Sequence, residues 1–417
     1  RPDDYAVQAR FAGAGINPLG EWPGFSGFSG SVEASESAGK FSLTARDGKF
    51  NLPRGLDQEV ALDTFTAQAG WRRTRDGIEL SIAQATYANR DLAGTARGSY
   101  RMTPEGPGWA DLSGTVSRAD GRAVGRYLPL AVNEDTRHWL RSAIGAGQVS
   151  DLAWRLHGNH KEFPFARPGS GTFQVTCKVT GVELDYMPGW PKIRGIDGRM
   201  AFRGKSMEIQ AERGAILGAK LSRVKAAIPD LETHDERLEI SGEAEGPTAE
   251  FLQFVEQSPV GGMIDDFTAG MQAQGAGKLA LKLEIPLRRS AQSKVAGSYQ
   301  FARNRFILPE GLPPLDQASG RVDFTESGVR VQNATAQFLG TPATLNAVTQ
   351  PGGTVVVSAQ GRATAEALRQ SWGHPLLQKI SGAADWRGTL TIRNRQADLS
   401  LESSLQGLAL AWPAPFG

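Results

Sequence analysis

A short hairpin pattern recurs along the chain and constrains its fold more than any other feature of the sequence. In the stretch GRMAFRGKSMEIQ, residues 198–210, apolar side chains alternate with polar ones on both sides of Gly204-Lys205. This alternation predicts two short β-strands joined by a tight turn, with one apolar face and one charged face. Long helical heptads are absent from the sequence, so we expect a mainly β protein.

The same alternation occurs at four further places, near residues 30–43, 67–82, 320–331 and 382–392. Five copies predict a repetitive β protein. Each copy has one face of large apolar side chains, which are the candidate residues for binding an apolar ligand. They are Phe41, Leu43, Trp71, Ile78, Leu80, Met200, Phe202, Met207, Ile209, Val322, Phe324, Val329, Val331, Leu390 and Ile392.

A longer period encloses the hairpins. A strand start of the form apolar-x-apolar, followed closely by proline, recurs at intervals of roughly 130, 125 and 100 residues. These starts divide the chain into the end of a preceding unit at 1–49, repeat units at 50–181, 182–305 and 306–407, and the start of a further unit at 408–417. We expect a helical pair near 122–144, a helix near 248–257 and another near 364–372.

Composition and charge exclude several classes of protein. The net charge is +2, from 46 basic and 44 acidic residues that are interspersed, so we expect no nucleic-acid partner and no binding to an anionic membrane surface. The single cysteine, Cys177, excludes an intrachain disulfide framework. The sequence has no apolar run long enough to span a bilayer. Because it starts at Arg1-Pro2 and ends within the repeat pattern, we expect an internal fragment of a longer protein.

Motifs typical of enzymes and metal sites are weak here. The segment Gly275 to Lys278 is similar to a phosphate loop, but no Ser or Thr follows the lysine and a strand pattern follows in place of a helix. The Ser37-x-x-Lys40 spacing lies in a turn without partner motifs. The close pair His157 and His160 lacks a third ligand nearby in the sequence. We therefore predict no catalytic residues, no metal site and no cofactor.

Two architectures can bury strands that are apolar on one face only. Separate β-sandwiches would each close two sheets on a private core. One long, curved and largely antiparallel sheet would instead line an open groove with its apolar faces. Composition does not separate the two, but linker-like segments are only five or six residues long, which favours the continuous sheet. Such a groove would expose more apolar surface than soluble proteins usually tolerate, unless an apolar ligand occupies it.

The middle of the sequence resembles a known family. The residues that carry the resemblance are Tyr127-Leu-Pro129, Trp139-Leu140, Gly145-Ala-Gly147-Gln-Val149, Gly158, Phe163-Pro-Phe165, Gly181-Val-Glu-Leu-Asp-Tyr186 and Trp190-Pro191. In this order and spacing they are similar to the YhdP-type proteins of the AsmA-like group. The segments cover about residues 120–200, and the flanking repeats are consistent with the same family.

The resemblance implies a function and a location. Members of that group are bridge-like proteins of the Gram-negative cell envelope, anchored in the inner membrane and extending through the periplasm, that conduct phospholipid toward the outer membrane along a β groove. The expected ligand is therefore phospholipid, with membrane contact through parts outside this sequence and possible envelope protein partners at its ends. A structural envelope protein made of closed sandwiches, without lipid, is the alternative.

Overall fold

The computed structural model describes residues 5–20, 23–53, 55–103, 106–130, 132–309, 312–393 and 396–411. The expected start of a further unit at 408–417 therefore lies largely outside the described residues, including Pro413 of the proline-marked strand start. Residues 1–4 of the expected first unit also lie outside them.

Strands account for 66% of the chain, so the protein is mainly β as predicted. They are β1 (Ala6–Ile16), β2 (Gly24–Ser35), β3 (Ala38–Asn51), β4 (Val60–Thr74), β5 (Gly77–Ala88), β6 (Leu92–Thr103), β7 (Gly106–Asp120), β8 (Ile144–Asn159), β9 (Gly171–Leu184), β10 (Ile193–Arg203), β11 (Ser206–Ile216), β12 (Ala219–Ile228), β13 (Arg237–Pro247), β14 (Gln272–Gln274), β15 (Ala276–Pro286), β16 (Lys294–Ile307), β17 (Leu315–Thr325), β18 (Gly328–Phe338), β19 (Thr341–Thr349), β20 (Val355–Thr364), β21 (Ile380–Arg393), β22 (Gln396–Ser403) and β23 (Leu408–Leu410).

The helical elements are few and short. The α-helices are α1 (Glu134–Ala143), α2 (Thr248–Glu256), α3 (Val260–Met263) and α4 (Ala365–Trp372), and the 3₁₀ turns are Gly121–Arg126, His160–Glu162, Ser290–Gln292 and Pro375–Lys379. Side-chain caps explain two of the helix starts: Asn133 accepts a hydrogen bond from the backbone N–H of Thr136, and Thr364 accepts one from Ala367. Gly373, with a φ of 56°, ends α4 in the left-handed conformation.

All 23 strands belong to one antiparallel sheet that does not close on itself, which confirms the predicted fold class. By contacts the chain divides into two compact units. Unit 1 comprises Arg1–Tyr186, Ile193–Glu212 and Ala226–Glu236, and unit 2 comprises Met187–Lys192, Arg213–Lys225 and Arg237–Gly417. In unit 1, the strands β1 to β10 pair with one another in chain order.

In unit 2, β13 pairs with β15, and β15 to β22 then pair in chain order. Because each pairing is antiparallel, β13 and β20 run in the same direction. The helices α2 and α4, which follow these two strands, therefore start on the same side of the unit 2 sheet, where β13 and β20 end. Each helix lies between two strands that pair with each other: α2 between β13 and β15, and α4 between β20 and β21.

The sheet leaves much of its surface open to solvent. The chain exposes 25781 Å², whereas a compact monomer of 44.7 kDa would expose about 16,000 Å². Fully buried large side chains are correspondingly scarce among the described residues, and one compact cluster forms around Phe28, Ala45 and Leu62 in unit 1. A sheet whose strands contact mainly their neighbours along the sheet has this balance, because few side chains are enclosed on every side.

Gly98 of β6 lies at a position that a side chain would disrupt. Its φ is 130°, and a Cβ added there would lie 2.0 Å from the carbonyl oxygen of Asp111 on the paired strand β7. We expect Gly98→Ala to lower the local free energy of unfolding by more than about 1 kcal/mol, because alanine is strained in this conformation and collides with backbone. Hydrogen exchange of peptides from β5 to β7 measures the effect.

Gly388 of β21 provides the matched control. A Cβ there would meet its nearest atom, Cζ3 of Trp386, at 3.5 Å, which is ordinary contact. Gly388→Ala should leave exchange in β20 to β22 unchanged or slightly slower. Equal acceleration by the two substitutions would contradict the geometry described here.

Candidate functional site

Residues that are directly opposite each other on paired strands share a face of the sheet, so the register defines rows that cross the strands. In unit 1, one row crosses ten strands and contains only apolar residues and glycine. It consists of Phe11, Gly30, Leu43, Ala67, Ala85, Ala96, Gly114, Trp154, Val175 and Phe202.

Two further rows of the same composition run beside the first, each across the nine strands β1 to β9. The second is Ala9, Val32, Phe41, Ala69, Ile82, Gly98, Leu112, Leu156 and Phe173, and the third is Val7, Ala34, Gly39, Trp71, Leu80, Tyr100, Ala110, Gly158 and Gly171. On β4 the rows contribute Ala67, Ala69 and Trp71, which alternate and so project to one side. We call this side of the sheet, in each unit, the apolar face.

The opposite side of the same strands is polar. A row next to the apolar ones consists of Ser29, Thr44, Thr66, Thr86, Thr95, Thr115, Ala153, Thr176 and Ala201. The hydroxyls of Thr95 and Thr115 are 2.9 Å apart and form a cross-strand hydrogen bond. We call this side the polar face.

The exposed fraction of alanine shows how closely side chains pack on each face, because larger neighbours bury its short side chain. Ala67 and Ala85, on the apolar face, are 8% and 7% exposed. Ala153, on the polar face, is exposed. The apolar side chains therefore pack against one another along the rows and cover the small residues between them.

Unit 2 has an apolar face of the same kind. One row crosses β13 and the strands from β15 to β22, and it consists of Ala244, Leu279, Tyr299, Val322, Val331, Ala347, Val357, Leu390 and Leu399. A shorter row beside it consists of Gly242, Leu281, Gly297, Phe324 and Val329.

The register brings most of the candidate residues of unit 1 onto these rows. Leu43 and Phe202 share the first row, Phe41 lies on the second, and Trp71 and Leu80 are directly paired on the third. All five are partly buried. They form one continuous apolar surface, as expected from the alternation pattern.

The other candidates of unit 1 lie nearer to its margins. Met200 is paired with the buried Cys177. The two-residue turn at Gly204-Lys205 implies that Met207 faces Phe202 and that Ile209 faces Met200 across the β10–β11 hairpin. Ile78, which lies at the start of β5 beside the turn, is 38% exposed.

In unit 2, Val322, Val331 and Leu390 lie on the long row, and Phe324 and Val329 are paired on the shorter one. Ile392 differs from the rest because it is only 7% exposed. It packs where β20, β21 and β22 meet, opposite Val355. Lipid contact by these fifteen residues stays a prediction.

Several members of the rows were missed because they are small or lie outside the five hairpin copies. Among the large ones are Trp154, Leu156 and Phe173 in unit 1 and Tyr299 and Val357 in unit 2. Their strands alternate as regularly as those of the recognised copies. Counting alanine and glycine as members of the apolar face would have found these strands.

Loops cover parts of the apolar face. In unit 1, the ring of Phe165 lies over Gly158 and Gly171, where an added Cβ would approach it to 2.7 and 2.4 Å. In unit 2, the ring of Phe251 on α2 lies 4.9 Å from that of Tyr299. The hydroxyls of Tyr299 and Thr248 are 2.7 Å apart, and burial raises the pKa of Tyr299.

The motif residues that carry the family resemblance have structural roles. The hydroxyl of Tyr127 donates to Oδ2 of Asp91 at 3.1 Å and accepts from Nδ2 of the buried Asn89 at 2.9 Å. Burial raises the pKa of Tyr127. Trp139 of α1 donates from Nε1 to the carbonyl oxygen of Tyr186 at 3.0 Å. These contacts fix the loops at one edge of unit 1.

The described residues contain no group of three or more His, Cys, Asp and Glu side chains arranged to hold a metal ion. His157 lies with its Nδ1 3.5 Å from Oδ1 of Asp111, which is also bound by Arg155. Within the same ranges, no helix is both long and apolar enough to cross a membrane.

The fold and its two faces define a class of protein: an open, repetitive antiparallel β-sheet with one apolar and one polar face. The chain belongs to the YhdP family, whose sequence profile, described as YhdP protein, matches residues 1–417. The intermembrane phospholipid transporter YhdP of Escherichia coli (strain K12) is 21% identical over an alignment of 409 residues that covers 94% of this chain. The chain spans 31% of the length of that relative. No solved structure matches it.

The two faces can be tested with one substitution made on each. We expect Ala67→Asp to destabilise unit 1 by about 2 kcal/mol or more, because its carboxylate would be buried among apolar side chains without a partner. Ala153→Asp, on the polar face, should change stability by no more than about 0.5 kcal/mol. Urea unfolding followed by tryptophan fluorescence measures both, and equal losses of stability would show that the faces do not differ.

Proposed function

We propose that this chain is a periplasmic segment of a bridge-like lipid transfer protein, and that its apolar face forms a groove for phospholipid acyl chains moving between the inner and outer membranes. The observation that supports the proposal most directly is the continuity of the apolar rows. In unit 1 they cross nine or ten strands without a charged residue, on a sheet that does not close on itself.

The physical advantage of such a surface is large. Each CH₂ group of an acyl chain exposed to water costs about 0.8 kcal/mol, so two whole chains would cost some tens of kcal/mol. Contact with the apolar face removes much of this cost at every position along the row. Because strands are spaced by about 4.8 Å, neighbouring positions are close enough for a chain to move in small steps.

The dimensions of the rows fit this ligand. Eight strand spacings of about 4.8 Å make the nine-strand row of unit 2 about 38 Å long. Half the hydrocarbon thickness of a bilayer, the reach of one extended acyl chain, is about 15 Å. The row therefore accommodates a lipid along its length, while the head group stays in water at the open side. This arrangement needs no site that recognises a particular head group.

The relative from Escherichia coli supports the choice of ligand and location. Its name describes an intermembrane phospholipid transporter, and 94% of this chain aligns with it. We accordingly propose phospholipid as the ligand and the periplasm as the location. The membrane anchor and the contacts with envelope proteins would belong to other parts of the longer protein.

The alternative is a structural envelope protein made of closed β-sandwiches. It predicts two sheets that face each other over dry cores. The unclosed sheet and its large exposed surface favour the lipid groove instead.

A charge on the apolar face should block lipid without unfolding the sheet. We expect Phe202→Asp and Ile209→Asp to lower the amount of phospholipid that copurifies with the chain severalfold, because an acyl chain would have to pass a hydrated carboxylate. Both side chains are only partly buried, so the sheet should tolerate the charge. Native mass spectrometry measures the bound lipid, and circular dichroism checks the fold.

Ala201→Asp is the matched control, since Ala201 precedes Phe202 and is paired with Thr176 on the polar face. It should bind as much lipid as the unmodified chain. Loss of the fold in Phe202→Asp and Ile209→Asp would favour a closed core, and absence of lipid from the unmodified chain would favour the structural protein.

A further inference from the structure

The segment from Thr248 to Met271, which contains α2 and α3, is an excursion that the sheet does not need. β13 and β15 pair over eleven residues, from Arg237 opposite Pro286 to Pro247 opposite Ala276. The segment begins directly after Pro247. The chain then returns through the short strand β14, which pairs with β16, before the ladder resumes at Ala276. Displacement of the segment would therefore break no pair of the β13–β15 ladder.

The segment lies over the apolar face of unit 2. Phe251 packs on Tyr299, a member of the nine-strand row, with 4.9 Å between ring centroids. Phe254, one helical turn further on, lies 5.9 Å from the ring of Trp190. An acyl chain that followed the row past Tyr299 would meet α2.

The contacts that hold the segment are strongest at its beginning. Thr248 is 2% exposed, and its Oγ1 lies 2.7 Å from the hydroxyl of Tyr299 and 2.5 Å from the carboxamide of Asn304. Asn304 is completely buried, and when its oxygen accepts from Thr248 its nitrogen donates to two backbone carbonyls. This group of three polar side chains, of which Thr248 and Asn304 are buried and Tyr299 is partly buried, is the firmest contact between the first turn of α2 and the sheet.

Further along, the segment is held less firmly. Phe251, Leu252, Phe254 and Val255 are all only partly buried, and Glu250 accepts one hydrogen bond, at 3.1 Å, from the exposed backbone of Gly218. In α3, Met263 is 75% exposed. Few buried contacts and exposed hydrogen bonds are features of elements that open at low cost.

We propose that residues 248–271 form a movable cover over the apolar face of unit 2, closed by the contacts of Phe251 and Thr248 with Tyr299 and joined to the sheet at its two ends by β13 and β14, and that acyl chains pass Tyr299 only when this cover is displaced. This inference rests on the proposed lipid groove. The inference adds two points to that proposal. Passage along the apolar face is interrupted at Tyr299, and lipid competes with α2 for the same surface.

A disulfide between the turn that joins β11 to β12 and helix α2 can hold the cover closed. A Cβ added at Gly218 would lie 3.0 Å from Cγ of Glu250, close to where a cysteine Sγ would be. The double variant Gly218→Cys, Glu250→Cys therefore joins α2 to the sheet when it is oxidised and releases it when it is reduced. The natural Cys177 is buried, which raises its pKa and keeps it unreactive.

The probe is a phosphatidylethanolamine with a photoactivatable diazirine in one acyl chain, supplied in vesicles of unlabelled phosphatidylethanolamine. Crosslinked peptides from β15 to β17 report lipid beneath the cover, and peptides from β3 and β4 report lipid on unit 1. We expect oxidation to lower crosslinking in β15 to β17 severalfold, with unit 1 unchanged, and reduction of the same sample to restore it. Equal crosslinking of β15 to β17 in the oxidised and reduced forms would overturn the proposal.

Tyr299→Phe provides a second variant that keeps the aromatic ring but removes the hydroxyl that binds Thr248. Loss of this hydrogen bond should increase the open population, and hence crosslinking beneath the cover, about fivefold. A decrease, or no change, would contradict a closing role for the hydroxyl. If no variant crosslinks lipid in unit 1 either, the lipid groove itself is wrong. If unit 1 is labelled and the lock has no effect, only the cover is wrong.

Discussion

Hydrogen bonding between neighbouring strands holds this fold together, because the described strands of each unit contact mainly their neighbours along the sheet. In a compact domain, side chains from two layers interlock and contribute most of the stability. Here the ladders from β1 to β10 and from β13 to β22 connect each strand to its neighbours, and side chains pack sideways along the rows. Each strand depends on the next, as in other repetitive proteins.

This dependence explains the composition of the two faces. Along the apolar face, some large residues lie opposite small ones on the neighbouring strand and cover them, as Trp154 covers Gly114. Along the polar face, threonine combines a β-branched shape that suits strands with a hydroxyl that water or a neighbour can bind. The polar face of such a sheet is hydrated, and its apolar face remains available to an apolar ligand.

The helical excursions add local control to a uniform sheet. Each leaves a hairpin without disturbing its register, and α2 reaches a row residue, Tyr299, through both a ring contact and a hydroxyl. The motif residues behind the family resemblance, such as Tyr127 and Trp139, likewise hold connecting loops in place. Some of the residues that identify the family therefore lie in the segments that connect strands, and others, such as Gly147 and Gly158, lie within β8.

The sequence by itself determined the two-faced strands, since period-two alternation of residues such as Met200 and Phe202 leaves only one apolar side. It also indicated where the short helices lie, because Asn133, Thr364 and Gly373 cap their ends. Only the tertiary structure decided which residues share a row. Register depends on turns and bulges, such as the shift between Ile82 and Ala85 in the β5–β6 pair, and it joins positions far apart in the chain, so no local pattern shows that Leu43 and Phe202 belong to one line.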